Sequence, residues 1–233
     1  VLFALVNAIV LRPLPYPEAD RLVRIFDTNR TGGVERAGAA SGNIDDWRRR
    51  ASAFDGIAGY YTMGRTLSAG GDAEVLITAQ VSEDFFSLMR VAPAVGRTFS
   101  ADETRRAQFN SAAAPVGADP VVILSHAVWR QRFGGDPGII ERSVTIERRS
   151  FRVVGVMPEG FAMPERSVQL WIPWDVSGER PRDQHYLGAV ARLKAGVAIT
   201  TADRELNSVA LALAAEHPGT NRGWGVHLSP LHT

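Results

Sequence analysis

Residues 119–161 read DPVVILSHAVWRQRFGGDPGIIERSVTIERRSFRVVGVMPEGF, and no other stretch of the chain alternates so cleanly between one structural signal and the next. Residues 120–124 are an apolar, β-branched run, which predicts a strand. Ser125 follows as a candidate N-cap, and Val128, Trp129 and Phe133 fall at helical spacing behind it. Gly134 and Gly135 supply the positive φ that ends helices, and Asp136-Pro137-Gly138 is turn chemistry. Residues 143–147 and 151–157 then alternate in Val and Ile around Arg148-Arg149, a hairpin pattern, and Pro158-Glu159-Gly160 closes the unit. Ser125-His126 is the one pair here that suggests catalysis. Adjacent residues at a helix start do not face each other, so capping serine and packed or surface histidine is the expected role, and the unit reads as scaffold.

Outward from this unit, residues 21–28 (RLVRIFDT) alternate as a strand, and the Gly/Ala-rich residues 32–42 read as a loop. Asn43 is placed to cap a short helix with Asp46 in its first turn and Trp47 on one face. Arg48, Arg49 and Arg50 fall at its C-terminal end, where cations suit the dipole. Residues 54–61 and 66–67 read as strand, and 74–81 (EVLITAQV) as a stronger one. Ser82 is expected to cap a buried helix running to Met89, a turn with Gly96-Arg97 follows, and residues 101–118 read as a long surface loop. Residues 168–174 predict a short strand or sheet edge interrupted by Pro173, and 175–184 a polar, flexible link. Residues 185–194 (HYLGAVARLK) predict a strand that Gly196 stops. A helix opens at Thr200 or Thr201, with Leu206, Val209, Ala210 and Leu213 on one face. Pro218-Gly219 ends it, and 224–231 return as a strand. Strand, helix, strand therefore occurs near both ends, around the hairpin-bearing centre, and the fold class is α+β.

At 233 residues and 45% hydrophobic content the chain can bury one substantial core or two small ones. The net charge of +1 gives no general attraction for nucleic acid. The absence of cysteine removes disulfides, cysteine-ligated metals and thiol chemistry. Residues 1–11 (VLFALVNAIVL) are apolar except for Asn7, too short a run to span a bilayer alone. A buried helix and the last half of a transmembrane helix ending at Arg12-Pro13 both fit it. A signal peptide is disfavoured, since no basic region precedes the run and no small-residue cleavage site follows it.

Neither G-x-x-x-x-G-K-[ST] nor G-x-G-x-x-G is present, so nothing in this segment points to ATP hydrolysis. There is no H-E-x-x-H, and His126, His185, His217, His227 and His232 share no ligand-like spacing beyond the loose pair His227 and His232. Asp45-Asp46 and Glu83-Asp84 fall at predicted helix starts, where the dipole explains them. No catalytic, cofactor-binding or metal-ligating residue is assigned.

The segments LSHAVWRQRFGGDP and FRVVGVMPEGF, with VNAIVLRPLPYPEADRLVRIFDTN at the start, resemble the periplasmic core domain of MacB-type, FtsX-like ABC-transporter permeases of the acidobacterial kind. NIDDWRRRASAFDGIAGY, VSEDFFSLMRVAPAVGRTFS, HYLGAVARLKAGV and TNRGWGVHLSPL extend the resemblance in order along nearly the whole chain, with gaps at 101–118 and 175–183. It implies a truncated transmembrane helix and connector over residues 1–17, a porter-like lobe of βαβ units from 18–100 and 168–233, and an inserted smaller lobe at 101–167. It also implies a non-catalytic periplasmic domain at the inner membrane, coupling cytoplasmic ATP hydrolysis to substrate export or to movement of a partner protein. The implied partners are the membrane-embedded remainder of the permease, an ABC ATPase and a second copy of the chain. Some members work with a periplasmic adaptor, but no segment here matches an adaptor-contact motif. The alternative from the residues alone is a soluble secreted hydrolase or sugar-binding domain with Trp171, Trp174 and Trp224 as a stacking surface.

Overall fold

The computed structural model describes residues 16–69, 71–105, 107, 120–175 and 180–231. The apolar run and the prolines before Tyr16, most of residues 106–119, residues 176–179 and His232 lie outside them.

Along the chain run β1 (Leu22–Asn29), β2 (Val34–Ala37), α1 (Ser41–Arg50), β3 (Phe54–Leu67), β4 (Glu74–Val81), α2 (Phe85–Met89), β5 (Val95–Gly96) and α3 (Ala101–Arg105). Then come β6 (Val121–Leu124), α4 (His126–Phe133), β7 (Ser143–Ile146), β8 (Arg149–Val156), β9 (Leu170–Pro173), β10 (Gly188–Leu193), α5 (Ile199–Glu216), α6 (Pro218–Asn221) and β11 (Gly225–Pro230). The described strands form one sheet in the order β11-β1-β10-β3-β4-β9-β6-β8-β5, with β2 on β1 and β7 bridging β3 and β8. Only the β4–β9 and β6–β8 pairs are parallel.

The two strand-helix-strand units at the ends of the chain interlock. β10 lies antiparallel between β1 and β3, and β1 lies antiparallel between β10 and β11. Each unit is thus a split βαβ whose gap is filled by a strand of the other, the ferredoxin-like arrangement. Alternation along the strands separates two faces. Val23, Ile25, Ala189, Ala191 and Leu193 meet Ile44 and Trp47 of α1 and Leu206, Val209, Ala210 and Leu213 of α5 on one side. On the other, Leu22, Ala58, Tyr60 and Val190 meet Phe85, Phe86, Leu88 and Met89 of α2 together with Trp171 and Phe161. A third core joins Val122, Leu124, Val128, Ile139, Val144, Ile146, Val153 and Val156 to Leu67, Leu76 and Leu170.

The central unit forms as expected. Ser125 Oγ accepts the Val128 N–H at 3.2 Å, and Gly134 ends α4 at φ 63°. The hairpin turn falls one residue earlier than expected. Ile146 pairs with Arg149, leaving Glu147 and Arg148 as a two-residue turn with φ of 49° and 63°, so both take the left-handed region. Other expectations are corrected. Residues 34–37 are a strand, because β1 is longer than β10 and has hydrogen bonds left to share at Asp27 and Asn29. α1 starts at Ser41, before Asn43, whose Oδ1 instead accepts from Arg182 and Asn221. β3 is continuous through Gly64. Ser82 caps no helix: its Oγ takes the N–H of Gly59 at 3.0 Å, and α2 starts three residues later, at Phe85, without a side-chain cap. Val95 and Gly96 pair with β8, and a short helix occupies 101–105 of the expected loop. β9 is an interior strand between β4 and β6, with Pro173 as its last residue. α5 opens at Ile199, with no threonine cap at its start, and after it Pro218-Gly219 belong to α6.

Candidate functional site

Residues 16–21 bring the chain to β1, and an unusual number of long-range bonds converge on them. Tyr16 is buried, its ring edge-on to Phe161 at 5.8 Å and its hydroxyl accepting the Ala162 N–H at 3.2 Å. Glu18 takes the left-handed region at φ 48°, unfavourable for a residue with a Cβ, and is held there from outside. Arg192 of β10, 1% exposed, reaches across the sheet face and donates Nη1 to the Glu18 carbonyl at 2.9 Å and Nε to the Leu88 carbonyl at 2.7 Å. One guanidinium therefore ties the entering chain to β10 and to the C-terminal end of α2. Burial, and then the charges of Arg90 and Arg21, push this guanidinium down from its usual value against the pull of Glu18 and Asp55. Around it Arg21 pairs with Glu18 and Asp55, and Arg90 pairs with Glu18 at 2.8 Å and Asp55 at 3.2 Å. At the exit, the Leu231 N–H donates to the Leu22 carbonyl at 2.9 Å. Entry and exit lie side by side. None of these bonds was legible in the sequence, although a lone arginine inside the otherwise small and apolar GAVARL strand was the available signal.

A second polar cluster pins the end of β1. His185 Nδ1 lies 2.6 Å from Asp27 Oδ2, both side chains being buried, and the His185 ring stacks on Trp224 at 3.5 Å. Burial raises the Asp27 carboxyl above its ordinary value in spite of His185, the Ala40 N–H and Asn43. The arginine triplet of α1 turns to carboxylates. Arg48 pairs with Asp84 at 2.7 Å, Arg49 with Asp46 at 2.7 Å, and Arg50 grips both oxygens of Glu216 at 2.7 Å. Asp46 also takes Arg182 at 2.6 Å. These bonds lock α1 to α5 and to the link before β10.

The other residues weighed in the sequence are placed plainly. His126 packs edge-on to Trp129 at 5.5 Å, and His227 lies 3.9 Å from Asp203. Trp171 and Trp174 are core residues and Trp224 is stacked on His185, so the three form no shared stacking surface. Among the described residues no three His, Cys, Asp or Glu side chains gather as a metal site, and no helix is long and apolar enough to cross a membrane.

The polar clusters tie the entering segment, the end of β1 and α1 to the rest of the fold. Residues 1–209 match the model of the MacB-like periplasmic core domain, and the chain belongs to that family. It is 24% identical over 143 residues to the probable export ATP-binding/permease protein MacB of Pseudomonas entomophila (strain L48). That match takes in 60% of this chain and 20% of the relative, so the chain spans about a fifth of its length. The fold is shared with the crystallised periplasmic region of MacB from Actinobacillus actinomycetemcomitans (TM-score 0.63, 15% identity, 91% of this chain and 90% of that one). It is shared too with the extracellular domain of the noncanonic ABC-type transporter YknZ from Gram-positive bacteria (TM-score 0.59, 13% identity, 88% and 99%).

Proposed function

We propose that this chain is the non-catalytic, extracytoplasmic part of an ABC-transporter permease at the inner membrane. In this role it converts movement of a membrane-embedded remainder, driven by an ABC ATPase in the cytoplasm, into export of a substrate or displacement of a partner protein. The observation that carries the proposal is the joint at residues 16–21. A chain segment entering beside the exit strand is fastened to β10, α2, Asp55 of β3 and Ala162 at once, so a pull on it displaces the sheet as a body rather than peeling off one strand. The division into a porter-like lobe (18–100 and 168–233) and an inserted lobe (101–167) belongs to the same proposal. Its support is that the third core is built mostly by residues 121–156, with Leu67, Leu76, Leu170 and Ile172 of the first lobe closing it. A second copy of the chain would complete the working permease.

The test uses the complete transporter in nanodiscs. Among these 233 residues there is no cysteine, and Leu211 is 71% exposed, so Leu211→Cys in a transporter whose other cysteines are replaced accepts a fluorophore whose energy transfer to labelled lipid headgroups reports the height of the domain. ATP is expected to change that transfer. Pro13→Gly with Pro15→Gly, which softens the connector, abolishes the change while ATP hydrolysis continues. An unaltered response in the double variant would sink the proposal.

A further inference from the structure

The sheet face opposite α1 and α5 is only half covered. α2 shields the end at Leu22, Gly56 and Arg192, with Leu88 packed so closely over Gly56 that an added Cβ would lie 3.0 Å from it. Beyond that helix the same face opens as a groove of about 340 Å³, lined among others by Arg24, Phe26, Arg36, Tyr60, Glu165 and Tyr186. It is a built cavity. Tyr60 lies flat over Gly188, where a Cβ would meet its ring at 2.0 Å, and Gly38 allows the backbone of Tyr186 and Leu187 to close the wall.

Tyr60 is 8% exposed and lines this groove, and the part of it left open includes the hydroxyl oxygen, which no described residue takes. Burial raises the Tyr60 hydroxyl above its ordinary value, against the charge of Arg24 and with a smaller push from Glu165, so it is protonated at neutral pH and can donate. Arg24 spends one nitrogen on the Pro164 carbonyl at 3.2 Å, and Arg36 lies over the Phe26 ring at 5.3 Å. Neither guanidinium has a carboxylate within 4.0 Å among the described residues, whereas Arg21, Arg48, Arg50 and Arg90 all do. The groove thus holds two guanidinium groups against one carboxylate, and Glu165 is at its exposed rim, near Thr62 Oγ1 at 3.4 Å.

We infer that this groove is a binding site for a small organic anion, a carboxylate, sulfonate or phosphate carried on an aromatic or apolar body. Arg24 and Arg36 take the charge, the Tyr60 hydroxyl donates to it, and the rings of Phe26 and Tyr186 cover the body. The inference goes beyond the coupling role and stands without it.

The probe is 2-naphthoate, titrated calorimetrically against the complete permease in nanodiscs, with empty nanodiscs as reference and 2-naphthalenemethanol as its uncharged counterpart. Saturable binding of naphthoate is expected, at least tenfold tighter than the alcohol. It should weaken at least tenfold in Arg24→Gln with Arg36→Gln, and severalfold in Tyr60→Phe at an unchanged melting temperature. If the double variant melts earlier, Arg36→Gln alone decides, since that side chain is exposed and its recorded contact is one ring. It must weaken binding threefold or more. Unsaturable naphthoate, equal affinity for the alcohol, or unchanged affinity in the deciding arginine variant would overturn the assignment.

Discussion

Replacing Arg192 tests the joint most directly, because two opposing costs meet in one side chain. Its Nε and Nη1 satisfy two backbone carbonyls at 2.7 and 2.9 Å, and hydrogen bonds from a charged donor contribute about 1.5–3 kcal/mol each. Against them stands the burial of a guanidinium that is 1% exposed, with Nη2 unpartnered and Arg90 and Arg21 nearby, an expense of several kcal/mol. Met fills much of the same unbranched volume without a charge. It strands the carbonyls of Glu18 and Leu88 but removes the buried cation, so Arg192→Met should cost no more than about 2 kcal/mol. Arg192→Ala adds a cavity and should cost about 3–5 kcal/mol. Arg192→Lys retains the buried charge on a single ammonium that cannot serve two carbonyls on different elements, and it should be at least as damaging as Ala. Urea unfolding followed by the fluorescence of the buried tryptophans gives the order Met, Ala, Lys. A Lys variant as stable as the parent, with Met the weakest of the three, would show that charge alone matters and refute the two-carbonyl argument.

Four further outcomes follow from other parts of the structure. The outer edge of β11 is closed by α5, where Asn207 accepts the Val226 N–H at 2.9 Å and donates to its carbonyl at 2.8 Å, and Asp203 takes the Leu228 N–H at 2.9 Å; Asp203→Ala with Asn207→Ala should expose that edge, lower stability by about 2–3 kcal/mol and produce concentration-dependent association in sedimentation velocity. Arg148→Gly relieves a left-handed φ of 63° in the β7–β8 turn and should raise stability by about 0.5–1 kcal/mol in thermal melts. For Asp46, burial raises the carboxyl, but hydrogen bonds from Arg49 and Arg182 and the charges of Arg182 and Arg50 outweigh it and hold it below 3.8. The stability it contributes is complete above that ordinary value and lost as pH falls through the depressed one. Asp46→Asn should therefore flatten the loss of melting temperature on acidification. Asp27, raised by burial, acts with the opposite sign, so Asp27→Asn should steepen that loss.

Local signals carried much of this fold. β4 and the central hairpin unit follow the residue patterns closely, and all four apolar positions assigned to the α5 face are buried. What escaped depends on distant partners. β2 has four residues and no hydrophobic pattern of its own, and it exists because β1 has unshared hydrogen bonds beside it. Residues 62–65 read as a gap in β3, yet the strand continues because that stretch ladders with β4 from Thr62↔Ala79 to Arg65↔Leu76. Ser82 and Asn43 have the side chains of helix caps, but Gly59, Arg182 and Asn221 claim them first. The joint at Glu18 rests on contacts across 174 residues of chain, a separation that no periodicity encodes.

The interleaving of β10 between β1 and β3 also dictates an order of events when the polypeptide is made. β1 and β3 share no ladder with each other and must wait for a strand that emerges more than 120 residues after β3 ends. Until then the earlier strands carry open ladders, the circumstance in which nascent chains stick to one another. A chaperone that holds the first half of this polypeptide until the last third has been delivered would therefore govern its yield far more than any gain in the stability of the finished sheet.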